Sequence, residues 1–487
     1  MKTALILYPN HLYPFDQLPQ ADTIVMVEEP LYFGVDQERP HRLHRQRIIL
    51  HRASMRRYVE EVLWPNGAEV DYIELDVFMQ STDIFDRLKK YDQLMFFDPI
   101  NEQLTRRLLE VRRERDDLPA MEFLPNPTFY LQEQEVRAFL GQKHQDVFTD
   151  FYQWQRERFN ILIGDDYKPE GGQWMLSAPK GGAADTADPP GMEVFGDNQW
   201  VAEAIAYVDE HFPNNIGETE FRWPTSHQEA RAWLQDFLQH RLARYGEAPG
   251  SWDGSTLGFH SGLSVSLNIG LLSAPQVVEA ALEQHRKDPV PLYCLEAFIR
   301  GVLGWREIAR GDYVVRHQEA LGGRQQSRRH MEESWYTGST GLVPFDDTLR
   351  KLLQHGYAQP AERQMAVGLM KLCDIDPHDA VAWFGEMCLD AAEWQVIPNV
   401  RRAYDIHQGG HYVMTSDHVR KMTGYAKGEW CDVWDGLYWR FVERNRTALA
   451  RNSKTKSLVH GLDKLDSDRH RIIRYRADDF LAQHTRV

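Results

Sequence analysis

The chain has 487 residues, too many for one apolar core, so two or three domains are expected. Its 42% hydrophobic and 26% charged content is that of a soluble globular protein, and no apolar run reaches membrane-spanning length. A net charge of −16 excludes a surface coated in basic side chains for unspecific nucleic-acid binding, and leaves room only for a local basic groove.

The opening "MKTALILYPN" reads as a short strand without a signal-peptide core, so a cytoplasmic protein without membrane contact is expected. "TALILY" (3–8), "DTIVMVEEPLYF" (22–33), "AEVDYIEL" (68–75) and "DQLMFFDP" (92–99) read as strands, and 44–64 and 101–115 as amphipathic helices. Such alternation predicts a Rossmann-like parallel sheet. Ligands bind beyond the strand C-termini in such sheets, here "YPNHLYPF" and "EEPLYFG", although no GxGxxG follows the first strand. Residues 165–199, rich in Gly, Pro and Asp, read as a long connection. Beyond it, 226–246, 275–287, 291–311, 345–356 and 377–394 carry helical apolar spacing. The expected organisation is α/β, then all-α: an N-terminal domain over 1–135, a helix-containing linker over 136–225 and a large helical domain over 226–487.

Segment 437–476 holds eleven Lys or Arg against four acids, a solvated helix face or a phosphate-contacting groove. The four cysteines, Cys294, Cys373, Cys388 and Cys431, form no CxxC pair, which fits a reducing compartment. Fourteen Trp and twenty Tyr suit aromatic core packing, a flat aromatic ligand or an electron-hopping chain.

Four stretches are more specific: "GFHSGLSVSLNIGLLSAP" (258–275), "EAFIRGVLGWREIARG" (296–311), "SWYTGSTGLVPFDDTLRKLLQHGYA" (334–358) and "WFGEMCLDAAEWQVIPNV" (383–400), continued by "YAKGEWCDVWDGLYWRFVERNR" (425–446). In this order, after an α/β domain and a long linker, they resemble the photolyase and cryptochrome superfamily. The nearest resemblance is to its bacterial photolyase-related branch of iron–sulfur cryptochromes and (6-4) photolyases. "HRASMRRYVEEV" (51–62), "FYQWQRER" (151–158), "EGGQW" (170–174) and "HFPNNIGE" (211–218) extend the resemblance over essentially the whole chain.

The resemblance implies FAD bound in the helical domain. It places Ser261, Leu263, Ser264, Ser266 and Asn268 along the phosphate and ribityl path, and Glu296, Trp305 and Arg306 around the cavity. Asp390 matches an acid reaching the flavin or its adenine side, and Asn399 is the candidate near flavin N5. Donors near N1, O2 and N5 set the redox and protonation state of a reduced flavin. Trp394, with Tyr336, Trp383, Trp434 and Trp439, is a candidate electron donor, at a spacing equally suited to core packing. A lumazine-type antenna in the N-terminal domain would meet Glu28, Glu29 and Tyr32.

The chain also departs from that pattern. Iron–sulfur members carry four cysteines, but here Pro344, Ala426 and Glu429 stand at three of those places, so no cluster and no bound metal are expected. Where the family reads "AHHIERLM", with the proton donor for (6-4) repair, this chain reads "AQPAERQM". Gln359 and Pro360 replace the histidine pair, and neither delivers a proton as an acid. "GLM" (368–370), "IHQGGHYVMTSDHV" (406–419) and "MLSAPKG" (175–181) are also altered. His355, His407, His411 and His418 are either a new polar or metal cluster or four unrelated histidines. The expectation is therefore a light-driven FAD protein, with Gln359, Trp394 and Asn399 at its reactive face, that has lost conventional (6-4) repair. The alternatives are repair of another lesion in DNA, a divergent enzyme on this fold acting on a small molecule, and an interaction protein with a signalling partner.

Overall fold

The computed structural model describes residues 1–75, 80–141, 147–178, 193–245, 257–316, 321, 329–405, 413–451 and 455–487. His407, His411 and the "PKG" of 179–181 fall outside the described residues.

Five strands make one parallel sheet: β1 Thr3–Leu7, β2 Thr23–Val27, β3 Val70–Ile73, β4 Gln93–Phe97 and β5 Ala120–Leu124, in the order β3-β2-β1-β4-β5. The Rossmann-like reading holds. β1 and β2 are near-continuous apolar runs, buried as a sheet covered on both faces requires. β2 is shorter than its apolar run. Pro30 has no N–H to give the ladder, and it instead opens a helical turn, Pro30–Phe33, capped by the Glu29 carboxylate on Leu31 N at 3.4 Å. The edge strand β5, "AMEFL", was not anticipated, because its mixed exposure dilutes the strand signal.

The helices follow the apolar periodicity, with one informative exception. The run 377–394 is two helices, Pro377–Met387 and Glu393–Tyr404, separated by a break at residues 388–392. Cys388 is extended (φ −105°, ψ 124°), and Leu389 N donates to Gly356 O at 2.8 Å instead of to its own helix. The helix beginning at Leu292 is also irregular, widening into a π-helical turn over Arg300–Arg306.

One apolar core runs from the sheet through the helices His227–His240 and Ala274–Lys287 to Leu303. A second lies mostly between Met331 and Leu481. The sheet and the helical part are tied where strand order reverses, between β1 and β4. Leu12 N, after β1, donates to Ile269 O at 3.0 Å. Gly270 (φ 91°) permits that approach, since a Cβ there would lie 2.8 Å from the Tyr13 ring. Glu307 accepts from Tyr130 N at 2.8 Å, and Arg310 donates to Leu131 O at 2.7 Å and to Asp98 at 3.4 Å. The "GWREIARG" motif thus clamps the exit of β5.

Seven arginines of the basic segment meet five acids of the chain. Arg440 and Arg444 pair with Asp374, Arg469 and Arg476 with Asp432, Arg446 with Asp463, Arg471 with Asp468 and Arg474 with Glu443. Among the described residues no helix is long and apolar enough to cross a membrane.

Arg310 is 2% exposed, and removing it takes the charge partner from Asp98, which among the described residues keeps only the Ile100 N–H, and the donor from the Leu131 carbonyl. Arg310→Met is expected to lower apparent stability in urea by about 3 kcal/mol, and adding Asp98→Asn should recover part of that loss. A cost below about 1 kcal/mol would mean that the clamp does not hold the seam.

Candidate functional site

The break at 388–392 carries Asp390 into the middle of a polar hub. Asp390 is 3% exposed, so its charge must be met within the protein. Its Oδ1 accepts from Arg363 at 2.8 Å and its Oδ2 from Ser264 Oγ at 2.6 Å. Its backbone carbonyl accepts from Asn268 Nδ2 at 2.7 Å. That same amide lies 3.2 Å from Gln395 Oε1, and Asn268 Oδ1 accepts from Arg306. The hub therefore joins the helices Ser264–Ile269, Pro360–Leu372 and Glu393–Tyr404 to the π-helical turn.

The two arginines are held differently. Burial works against the Arg363 charge, but the Asp390 carboxylate more than offsets this and keeps the guanidinium above its usual range. Arg306 has no such partner, and burial pushes its pKa down to about 9. It lies against the rings of Phe129 at 4.5 Å and Trp394 at 4.7 Å, which also meet each other edge-on at 5.3 Å, a desolvated cation–π contact.

Of the expected site residues, Ser264, Asn268, Arg306, Asp390 and Trp394 come together here. Leu263 and Ser266 are buried within the same short helical segment, whereas Ser261 caps the turn before it through Leu263 N at 3.4 Å. Glu296 is elsewhere, buried against Leu176 N at 2.9 Å and Arg300 at 3.6 Å. Trp305 is 42% exposed and stacks on Phe148 at 3.8 Å, with Arg402 over its ring, so its place is the outer surface of the helix. Asn399 is exposed and donates to Gln395 O on its own helix at 2.8 Å; it does not join the hub. Gln359 caps the helix Pro360–Leu372 in a capping box with Glu362, its N–H donating to Glu362 Oε2 at 2.8 Å. Pro360 fills the first helical position. His355 is buried and His418 exposed. Among the described residues no three His, Cys, Asp or Glu side chains gather as a metal site.

A cavity of about 690 Å³ adjoins the hub, within the size range of cofactor sites. Val265, Asn268, Asp390 and Trp394 line one side, and Asn10, Tyr32, His51 and Pro99 the other. It therefore sits at the C-terminal ends of β1 and β4, where an open α/β sheet presents its crevice, roofed by the helical part. Tyr32 OH donates to Pro99 O at 3.3 Å, and Asn10 Nδ2 does the same at 3.0 Å. Among the described residues Asn10 Oδ1 and both ring nitrogens of the buried His51 have no hydrogen-bond partner. Burial, with Arg47 beside it, keeps His51 neutral. Glu28 and Glu29 do not line the cavity: Glu28 pairs with Arg52 at 3.0 Å and Glu29 bonds Ser81 Oγ at 2.5 Å. Sequence reasoning missed His51 and Asn10. Their signal, polar residues inside buried apolar elements, was in "HRASMRRYVEEV" and "YPNHLYPF".

Residues 6–223 match a family model described as deoxyribodipyrimidine photo-lyase-related protein. A (6-4) photolyase of Agrobacterium fabrum is 27% identical over 371 residues, 71% of this chain and 72% of that protein. Over these regions the chain is similar to the photolyase-related proteins. Its fold is shared with solved photolyases. A class III photolyase from Agrobacterium tumefaciens superposes with a TM-score of 0.59 at 16% identity, over 99% of this chain and 97% of that one. An archaeal photolyase from Sulfolobus tokodaii, solved with two FAD molecules, superposes with a TM-score of 0.54 at 15% identity, over 98% of this chain and all of that one.

Burial pushes the Glu29 carboxyl up to about 7, although Ser81 and Leu31 donate to it. A folded pKa above the unfolded one means that the folded chain holds a proton the unfolded chain has lost, so stability falls as pH rises between about 4.5 and 7. Glu29→Gln removes that dependence. The wild type is expected to lose on the order of 3 kcal/mol relative to the variant between pH 5 and pH 8, read from urea midpoints across pH. Parallel curves would show that Glu29 does not titrate in this window.

Proposed function

We propose that this photolyase-related protein is a light-responsive flavoprotein that holds FAD in its helical half and does not perform conventional (6-4) repair. The observation that carries the reading is the placement of Asp390, Asn268 and Trp394 on one cavity wall, with the first two locked by Arg363, Ser264 and Arg306. Their chemistry fits a flavin. The carboxylate and the amide on the wall are groups suited to a heterocycle rich in N–H and C=O groups, and the two guanidinium groups behind them fix their positions.

Bound there, FAD would supply light absorption and one-electron chemistry. The protein's part is to fix positions in advance. Asp390 cannot swing, because three partners hold it, and Asn268 cannot flip its amide without losing both Arg306 and the Asp390 carbonyl. Trp394 presents its ring at the cavity and is the aromatic group best placed to exchange an electron with the occupant. At the corner that carries histidines in (6-4) repair, Gln359 and Pro360 are absorbed in capping the next helix, and neither supplies an acid there.

A second occupant is supported on the sheet side. The unpartnered His51 nitrogens and Asn10 Oδ1 offer both a donor and acceptors to the edge of a flat neutral heterocycle, which suits a lumazine-type antenna. The archaeal neighbour with two FAD molecules lends the fold a precedent for two chromophores. DNA as a partner is less favoured, because seven arginines of the basic segment already face acids.

Purified protein is expected to show flavin absorption that bleaches under blue light with an added reductant. Asp390→Asn should lower flavin retention at least tenfold, with the helical content by circular dichroism unchanged. An oligonucleotide carrying a (6-4) lesion should emerge unrepaired. Colourless protein that takes up no FAD on reconstitution would sink this reading, and (6-4) repair by the wild type would overturn its second half.

A further inference from the structure

Charged side chains on the wall of the switch-point cavity are paired, with one exception. Of its arginines, Arg39 faces Glu393 at 3.2 Å and Arg401 faces Asp312 at 2.9 Å. Its acids are met in the same way: Asp390 by Arg363 at 2.8 Å, Glu38 by Arg107 at 2.8 Å and Glu393 by Arg39. Arg47 stands outside this pairing. Among the described residues it has no acid within ion-pair distance, and its one hydrogen bond runs from Nη1 to Gly385 O at 2.9 Å. Nε and Nη2, the edge of the guanidinium that grips an oxyanion through two parallel hydrogen bonds, are left without a partner. Burial holds the Arg47 pKa below the ordinary arginine range, although Tyr32, Asp390, Cys388 and Glu393 favour the charge from longer range.

A second unpartnered group lies beside it. Arg47 and His51 belong to the helix Arg45–Tyr58 and are four residues apart, so they share a face. Both line the cavity. His51 is 4% exposed, and neither of its ring nitrogens has a partner among the described residues. One helix face therefore offers the cavity a guanidinium edge and the N–H of a neutral imidazole. Keeping a cation at an interior wall without an acid is costly, and an anionic ligand supplies what is missing. Three N–H donors suit a group with three acceptor oxygens better than one with two.

We propose that the ligand on the sheet side of the cavity carries a phosphate, on a substituent of an otherwise neutral ring, and that this phosphate seats on Arg47 beside His51. The proposal rests on the reading that the sheet side holds a ligand. A neutral chromophore leaves Arg47 uncompensated, whereas its phosphorylated counterpart pairs it.

Arg47→Met keeps the reach of the side chain and removes its charge and donors. No acid loses a partner in this variant, so the full-length protein should unfold in urea within about 0.3 M of the wild-type midpoint. Inorganic phosphate should raise the wild-type midpoint above that in chloride of equal ionic strength, as a ligand of the folded state does. The rise should be at least halved in Arg47→Met, the remainder being the general effect of phosphate on burial. An equal rise in both proteins overturns the seat. Acetate as effective as phosphate would make it a carboxylate site and overturn the phosphate assignment. FMN and riboflavin, which differ only by the phosphate, are the second probe, read by fluorescence on protein already loaded with FAD. FMN should bind at least tenfold more tightly than riboflavin, and Arg47→Met should remove that preference while changing the riboflavin Kd less than twofold. Equal affinities in the wild type overturn the proposal. If neither flavin binds, the reading of a second chromophore fails, and the phosphate measurement alone decides the seat.

Discussion

A buried carboxylate has to be met by donors, and much of the geometry here follows from how Asp390 is met. Stripping one partner from a buried ion pair costs about 3–5 kcal/mol, because the other charge is left desolvated. Asp390 draws its donors from Arg363, Ser264 and Asn268, on elements far apart in the chain. To present the carboxylate to Arg363 and Ser264 and the backbone carbonyl to Asn268, the polypeptide abandons the helix at Cys388 and resumes it at Glu393. The helical hydrogen bonds lost in that break are partly replaced from outside, as when Leu389 N donates to Gly356 O. Gly356 itself ends the helix Val343–His355 in the left-handed conformation, and a Cβ there would lie 2.7 Å from Leu389, so the corner before Gln359 and the break before Asp390 are built against each other.

Arginine also organises the junction with the sheet. Arg306 packs against Phe129 and Trp394, Arg310 reaches Leu131 and Asp98, and Arg47 donates to Gly385 O at 2.9 Å. The donors that each guanidinium spends go to backbone carbonyls, a side-chain amide or a single acid, which a lysine could not do with the same directionality. These contacts surround the cavity without filling it. The polar groups that lack partners, on His51 and Asn10, face the space that remains. Tyr8, His11 and Tyr13, on the same side of the seam, also carry buried polar atoms without a partner among the described residues.

The chemistry-bearing stretches were legible in the sequence, and the role of each residue within them was not. "LDAAEW" and "LSVSLN" supply Asp390, Trp394, Ser264 and Asn268, which do meet. Trp305 and Asn399 come from equally distinctive stretches and point elsewhere. A helix turns 100° per residue, and a π-helical turn or a break shifts every later side chain, so a motif specifies which elements come together more firmly than which faces meet. His51 and Asn10 were passed over for the converse reason. Each is an ordinary polar residue in an apolar stretch, and only its missing partner marks it.

Apolar periodicity along the chain was enough by itself to determine a parallel α/β part followed by helices, because side-chain period follows directly from backbone geometry. The lack of an ionisable proton at 359 and 360 is equally a matter of residue identity, since neither Gln nor Pro carries one. The tertiary structure alone decided the break that delivers Asp390, the burial that holds Arg306 and Glu29 away from their ordinary titration, and the meeting of β1, β4 and the helical part around one cavity. Those outcomes depend on which distant groups share a low-dielectric space, and distance and dielectric are properties of the folded chain.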